Sequence, residues 1–247
     1  MPTFVMRIAV LSDIHGNLPA LEAVLAEVDQ ADVQELWCLG DVVGYGARPN
    51  ECCALVRERA DLTLCGNHDL AVLGKLDVDE FTGDAAAAAN WTAEVLEDGE
   101  REWLSGLEPS ARREGVELYH GSPRDPVWEY VLTEHLALLA LLETEEPVVL
   151  VGHSHVALSL SWDGKTLAGG LAAEGTEVEL ASARFLLNPG SVGQPRDGDP
   201  RAAWLLLDTD GQRGVFRRVA YDVELAQDQL REAGLPAALA ERQTHGI

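Results

Sequence analysis

Apolar residues run along this chain in two rhythms. Short runs at Ile8–Leu11, Glu35–Gly40, Leu62–Cys65, Val116–Tyr119 and Pro147–Val151 are bounded by Gly, Asn or Asp, the pattern of buried strands. Between them the period lengthens. Leu18, Leu21, Leu25 and Val28 recur at threes and fours and predict an amphipathic helix over 17–29. Pro49 opens a second helix that runs to about Arg59, and Glu134–Leu142 predicts another. From Leu70 to Arg113 the five-alanine run Ala85–Ala89, with Trp91, Val95 and Leu96 as its apolar face, predicts a mostly helical insertion at about 70–113. That insertion either packs plainly on a sheet or shapes a substrate site. Beyond residue 156 the pattern changes. Ala157–Trp162, Glu177–Leu180, Arg184–Leu187, Ala203–Leu207 and Val215–Val219 read as strands joined by tight turns such as Asp163-Gly164 and Asp210-Gly211. A helical tail, Val223–Arg242, is broken at Gly234 and Pro236. Strand–helix alternation followed by a meander predicts an α/β fold. Two mixed β-sheets would pack face to face and be flanked by helices, an αββα sandwich in a single domain spanning 1–247.

The ends of the strands carry the chemistry. Five apolar runs stop at metal-ligand residue types: Asp13 and His15, Asp41, Asn67 and His68, His120, and His153 and His155. A lone Asp after a strand is ordinarily a turn or cap residue, and a lone His is ordinarily satisfied by hydrogen bonds. Five such ends argue for convergence, because sites in open α/β sheets form at the carboxyl ends of strands. Side chains alternate along an extended chain, so Asp13 and His15 are expected to point the same way. Oxygen and imidazole donors without thiolate suit Mn²⁺, Fe²⁺ or Zn²⁺. They are too many for one closed tetrahedral ion and enough for two ions with open positions, the arrangement that clamps an in-line phosphoryl displacement. The cysteines at 38, 52, 53 and 65 form no C-x-x-C pair and read as small core residues.

The series D-x-H, G-D, G-N-H-D, H-G and G-H-S-H, in this order from Arg7 to about Gly193, resembles the calcineurin-like metallophosphoesterase superfamily. The small bacterial and archaeal phosphodiesterase-like members are the nearest in pattern, with NPGSVGQPRDG at Asn188–Gly198 a further match. The resemblance implies two divalent cations, Mn²⁺ before Fe²⁺, Zn²⁺ or Ni²⁺. Asp13, His15 and His155 would hold the first, and Asn67, His120 and His153 the second, with Asp41 bridging both. It also implies a metal-bridging hydroxide as nucleophile, His68 as general acid or transition-state stabiliser, and Asp69 orienting or tuning His68. Two departures narrow the activity. Tyr45 stands where the protein phosphatases and symmetric tetraphosphatases of the superfamily carry Arg, and Asp69 stands where the protein phosphatases carry Glu. Phosphate anchoring then passes to Arg124 or Arg196, and Tyr45 either stacks on a base or covers the core. The activity expected is hydrolysis of a small phosphodiester or nucleotide. A nucleotide monoesterase or dinucleoside polyphosphate hydrolase is the alternative. The alternative of another class is a scaffold like the retromer subunit, which uses this fold with an impaired metal site, whereas this chain keeps every expected ligand position.

Composition adjusts this picture in one respect. With 42 acidic against 18 basic residues the net charge is −24. Such a surface repels polyanions and argues against binding nucleic-acid polymers, while bound divalent ions can reverse the field locally for a small phosphate. The N-terminus lacks a signal-peptide pattern, and the most apolar helical stretch, Leu136–Leu142, is too short to cross a bilayer. A cytoplasmic location and no membrane partner are expected.

Overall fold

The structure is a computed structural model that describes residues 6–247. In chain order the strands are β1 (Arg7–Leu11), β2 (Glu35–Cys38), β3 (Leu62–Thr63), β4 (Ser110–Arg113), β5 (Val116–Tyr119), β6 (Val148–Val151), β7 (Leu158–Trp162), β8 (Leu167–Leu171), β9 (Glu177–Glu179), β10 (Arg184–Asn188), β11 (Ala202–Asp208) and β12 (Arg213–Val219). The α-helices are α1 (Leu18–Val28), α2 (Pro49–Arg59), α3 (Asn67–Val72), α4 (Gly83–Val95), α5 (Asp98–Ser105), α6 (Glu134–Glu143), α7 (Val223–Glu232) and α8 (Ala237–His245). Two six-stranded mixed sheets result, in the orders β3-β2-β1-β11-β12-β9 and β4-β5-β6-β10-β7-β8.

Strands apolar on both faces make this layering obligatory. Ile8 and Val10 of β1 turn inward with Trp37, Leu205 and Leu207, and they meet Leu118, Leu150, Phe185 and Leu187 of the facing sheet. The alternate positions, Ala9, Leu11, Cys38 and Trp204, face outward and are covered by Leu21, Val24, Cys52, Cys53 and Val56 of α1 and α2. On the far side Val149, Val151 and Leu186 are covered by Ala137, Ala140 and Leu141 of α6. Each large side chain fully buried this way contributes about 1.5–3 kcal/mol, so neither sheet is stable with one face uncovered. The helices begin where capping dictates: Asn17 accepts from the Ala20 amide at 3.2 Å, and Thr133 from the Leu136 amide at 3.3 Å.

The pairing of strands positions the site. β1, β2 and β3 are mutually parallel, as are β5, β6 and β10. The carboxyl ends of each trio therefore come together, and across the sandwich the two sets of ends meet at one rim.

Two elements depart from expectation. Ser110–Arg113, inside the segment expected to be helical, is the edge strand β4, paired antiparallel with β5. It lacks an apolar rhythm of its own and is held by its partner strand and by ion pairs of Arg112 with Glu146 and Arg113 with Glu35. Strand β8, LAGGL, carried no sequence signal because its centre is glycine, and it pairs with β7 as an exposed edge. Otherwise the 70–113 segment is mostly helical, holding the end of α3 and all of α4 and α5 joined by short loops. Among the described residues no helix is long and apolar enough to cross a membrane.

Candidate metal centre

The loops that leave the strands are wound tightly rather than extended. Asp13, His15, Asp41, His153 and His155 all have φ between 51° and 62°. This left-handed region costs a non-glycine residue on the order of 1 kcal/mol or more. The expectation that Asp13 and His15 converge by strand alternation is therefore corrected: they converge through a left-handed turn. Its conformation is enforced by neighbouring loops. The amides of Asp13, His15 and Gly16 donate to the carbonyls of Gly40, Asp41 and Val42 at 2.9–3.0 Å, and those of Val192 and Gly193 donate to Ser12 and Asp13. The Ser191 hydroxyl donates to the Asp13 carbonyl at 2.7 Å and the Asn188 amide to the Gly152 carbonyl at 2.7 Å, so both are loop braces. Packing leaves no spare room. A Cβ on Gly66 would lie 2.1 Å from Asp41 Oδ1 and 2.6 Å from the His120 ring.

Two groups of buried donors adjoin at this rim. Ligand atoms of Asp13, His15, Asp41 and His155 all lie within 4.8 Å of one another, and so do those of Asp41, His120 and His153. Asp41 belongs to both. The Asn67 side-chain oxygen lies 3.1 Å from His120 Nε2, which places it with the second group. The Nδ1 atoms of His15, His120 and His155 each meet a backbone carbonyl, of Val43, Leu39 and Gln194, at 2.7–3.1 Å. A carbonyl can only accept, so Nδ1 carries the proton and Nε2 presents a lone pair. His15 Nε2 and His155 Nε2 then face each other at 3.0 Å, and His155 Nε2 faces Asp13 Oδ1 at 3.2 Å. Lone pairs set against lone pairs repel unless a cation lies among them. Asp13 Oδ1, Asp41 Oδ2 and His153 Nε2 are buried without a hydrogen-bond partner among the described residues. The donor set fits divalent cations.

Charge states agree. Burial lowers the pKa of His15, His120 and His155 and pushes His153 down to about 2, so all four imidazoles are neutral. Burial alone would raise Asp13, but neighbours that stabilise its charged form, the Ser12 hydroxyl donating to Oδ2 at 2.5 Å among them, hold the carboxyl well below the usual range. Asp41 goes the other way, raised by burial and by the charges of Asp69 and Asp13. A cation between these groups relieves that penalty.

The other candidates fall into place unevenly. His68 is buried and held neutral by burial, its Nδ1 without a hydrogen-bond partner among the described residues, with its ring edge-on to His15 at 4.8 Å between centroids. Asp69 makes no hydrogen bond to that ring. Its carboxylate accepts from the backbone amides of Asp41, Val43 and Gly66 at 2.8–3.1 Å, so it braces the Asp41 loop and caps the helix that carries His68. Tyr45 does not present a face for a base. It is buried against His15, His68 and the small residues of α4 and α8, and only its hydroxyl is used, accepting from Arg196 at 3.2 Å. Arg196 also donates to Gln194 Oε1 and has no carboxylate partner among the described residues; its charge bears on His15, His68, His153 and His155. Its loop is tied down by Asp197, which pairs with the buried Arg218. Arg124 pairs instead with Glu129 at 3.6 Å.

Sequence reasoning missed three aromatic residues. Tyr130 stacks on His153, Trp128 stands edge-on to the same ring at 6.4 Å, and Phe81 is edge-on to His68 at 4.9 Å. Phe81 and Trp128 meet at 5.3 Å, which brings the 70–113 insertion to the rim of the site. The one available signal was aromatic residues isolated in polar loops, as in Val127-Trp128-Glu129-Tyr130.

With this geometry established, comparison with known proteins is decisive. Residues 6–212 match the calcineurin-like phosphoesterase superfamily domain. The chain belongs to that superfamily of metallophosphoesterase hydrolases. It is 41% identical to a metallophosphoesterase from Sphaerobacter thermophilus, whose crystal structure superposes with a TM-score of 0.90 over 99% of this chain and 100% of the other. It is 37% identical over 240 residues to an uncharacterized protein of Methanocaldococcus jannaschii, covering 95% and 96% of the two chains. Phosphodiesterase YfcE of Escherichia coli is 29% identical over 211 residues, 83% and 89% of the respective chains. The two-sheet architecture is thus the metallophosphoesterase fold, and the buried Asp/His clusters lie where its strand ends converge.

Proposed function

We propose that this metallophosphoesterase hydrolyses a small phosphodiester or nucleotide with two divalent cations, Mn²⁺ favoured. The observation that carries the reading is the pair of buried donor clusters sharing Asp41. Asp13, His15 and His155 would hold one cation, and Asn67, His120 and His153 the other, with Asp41 between them. Bound there, the cations supply an activated water as nucleophile and the Lewis acidity that withdraws charge from the phosphoryl oxygens.

The chain's own residues do the rest. The His68 amide donates to Asp41 Oδ1 at 2.8 Å, which fixes the shared carboxylate and seats the imidazole beside the clusters. Because burial holds that imidazole neutral, it serves by donating an N–H hydrogen bond to charge developing on the phosphate, not by giving up a resident proton. Arg196, aimed by Tyr45 and Gln194 and without a carboxylate counter-charge, anchors a non-bridging phosphate oxygen. Asp69 positions the Asp41 loop, and the whole chain acts as one domain. The diester preference draws on the likeness to phosphodiesterase YfcE. The test is hydrolysis of bis(4-nitrophenyl) phosphate by chelated and Mn²⁺-restored protein. Activity must vanish with the metal and return with it, and Asp41→Asn must abolish it in a folded protein. Full activity after complete chelation overturns the reading.

A further inference from the structure

We propose that Tyr130 is a platform on which the substrate stacks a nucleobase, which makes a nucleotide ester the substrate class of this site. The inference rests on the phosphoesterase reading and goes beyond it to the group the ester carries.

Tyr130 lies nearly parallel on the His153 imidazole, with ring centroids 3.9 Å apart and planes 19° from one another. It is nevertheless 42% exposed. His153 covers one face, and the side chain nevertheless keeps solvent-exposed surface. Among the described residues it is the one exposed aromatic side chain, since every other Trp, Tyr and Phe is buried or half-buried. A tyrosine left open in that way usually has a partner to cover it. What can cover it is constrained from two sides.

The platform stands one ring away from the donor clusters, so the covering group must be attached to whatever binds there. Trp128 flanks the same imidazole at 78° and packs on Phe81, and Phe81 is itself edge-on to His68. Aromatic residues from two separate segments therefore curve around one side of the site, walls suited to a flat π-system rather than to an alkyl chain. Arg196 supplies the unpaired positive charge for the phosphate end. The scale of the surface limits the substrate to a single nucleotide unit. Among the described residues there is one exposed aromatic side chain rather than a row, and a net charge of −24 disfavours a polynucleotide backbone.

The experiment uses the full, Mn²⁺-loaded protein and calorimetric titration with AMP and with ribose 5-phosphate, which share the sugar and the phosphate and differ by the base. A stacked base is expected to tighten binding about 5- to 150-fold. Tyr130→Phe keeps the face and should keep that ratio. Tyr130→Leu keeps apolar bulk over His153 but loses the π-face, and should bring the ratio below about twofold. Equal affinities in the native protein, or a preference for AMP that survives in Tyr130→Leu, overturn the proposal. Hydrolysis of bis(4-nitrophenyl) phosphate separates its failure from that of the reading beneath it. Mn²⁺-dependent hydrolysis without any base preference refutes the platform alone. No hydrolysis and no Mn²⁺-dependent binding of either phosphate refutes both.

Discussion

Stripping the metal should destabilise the protein itself, apart from any loss of activity. In the first cluster the ligand oxygens of Asp13 and Asp41 are no more than 4.8 Å apart. Two carboxylate charges at that distance repel by about 3.5 kcal/mol at an effective dielectric near 20. The facing lone pairs of His15 and His155 at 3.0 Å add to this. The chelated protein either bears the repulsion or takes up a proton on Asp41, and both outcomes cost stability at neutral pH. Mass action gives a similar size, since a cation present at 100 times its Kd stabilises by about 2.7 kcal/mol. For a chain of this length 1 kcal/mol moves Tm by about 2–4 °C. Adding Mn²⁺ to chelated protein should therefore raise Tm by roughly 6–14 °C. Differential scanning calorimetry with parallel metal analysis measures it. If metal analysis shows two ions gained and Tm moves by less than about 1 °C, the clusters are not frustrated as described, and the reasoning fails.

The same groups set a pH dependence. Burial raises Asp69 to about 6, and burial with the charges of Asp69 and Asp13 raises Asp41 well above its ordinary value. A carboxyl whose pKa is higher folded than unfolded contributes stability in its acid form, and that contribution is lost as pH rises through the folded value. Tm of the chelated protein should thus fall as pH rises from about 4 through about 6, so that the gap to the Mn²⁺-loaded protein widens; a gap that narrows contradicts the assignment. Gly66→Ala would press a Cβ to 2.1 Å from Asp41 Oδ1; overpacking of this kind costs about 1–3 kcal/mol, and metal titration should show weakened binding. Arg196→Ala should raise KM for a phosphodiester about 10- to 100-fold, the worth of a hydrogen bond to a charged group, while Arg124→Ala stays within about twofold; the reverse order would move the phosphate to the other loop. His153→Ala, read by metal content, should lose about one equivalent of bound cation, and retention of both ions would remove it from the donor set.

Much of this site was legible in one dimension because its chemistry is carried by residue types at strand ends. Asp13, His15, Asp41, Asn67, His120, His153 and His155 could be picked out from the apolar runs they terminate, and the two-sheet sandwich followed from strand–helix alternation giving way to a meander. The roles of Asp69, Tyr45 and Arg124 were not legible. Each depends on which partner the side chain meets across a large sequence separation, and those partners proved to be backbone amides, a buried aromatic cluster and Glu129. The turn that aims Asp13 and His15 was also hidden. Its left-handed backbone is imposed by carbonyls of the Gly40–Val42 loop, and no local propensity encodes it. Tyr130, Trp128 and Phe81 show the same division most clearly. An aromatic residue in a loop has the same identity whether it is surface or wall, and only the packing of two distant segments around His153 and His68 decides which it becomes. Local sequence determined which donor atoms stand at the strand ends; long-range contact determined how they are grouped and which side chains border them.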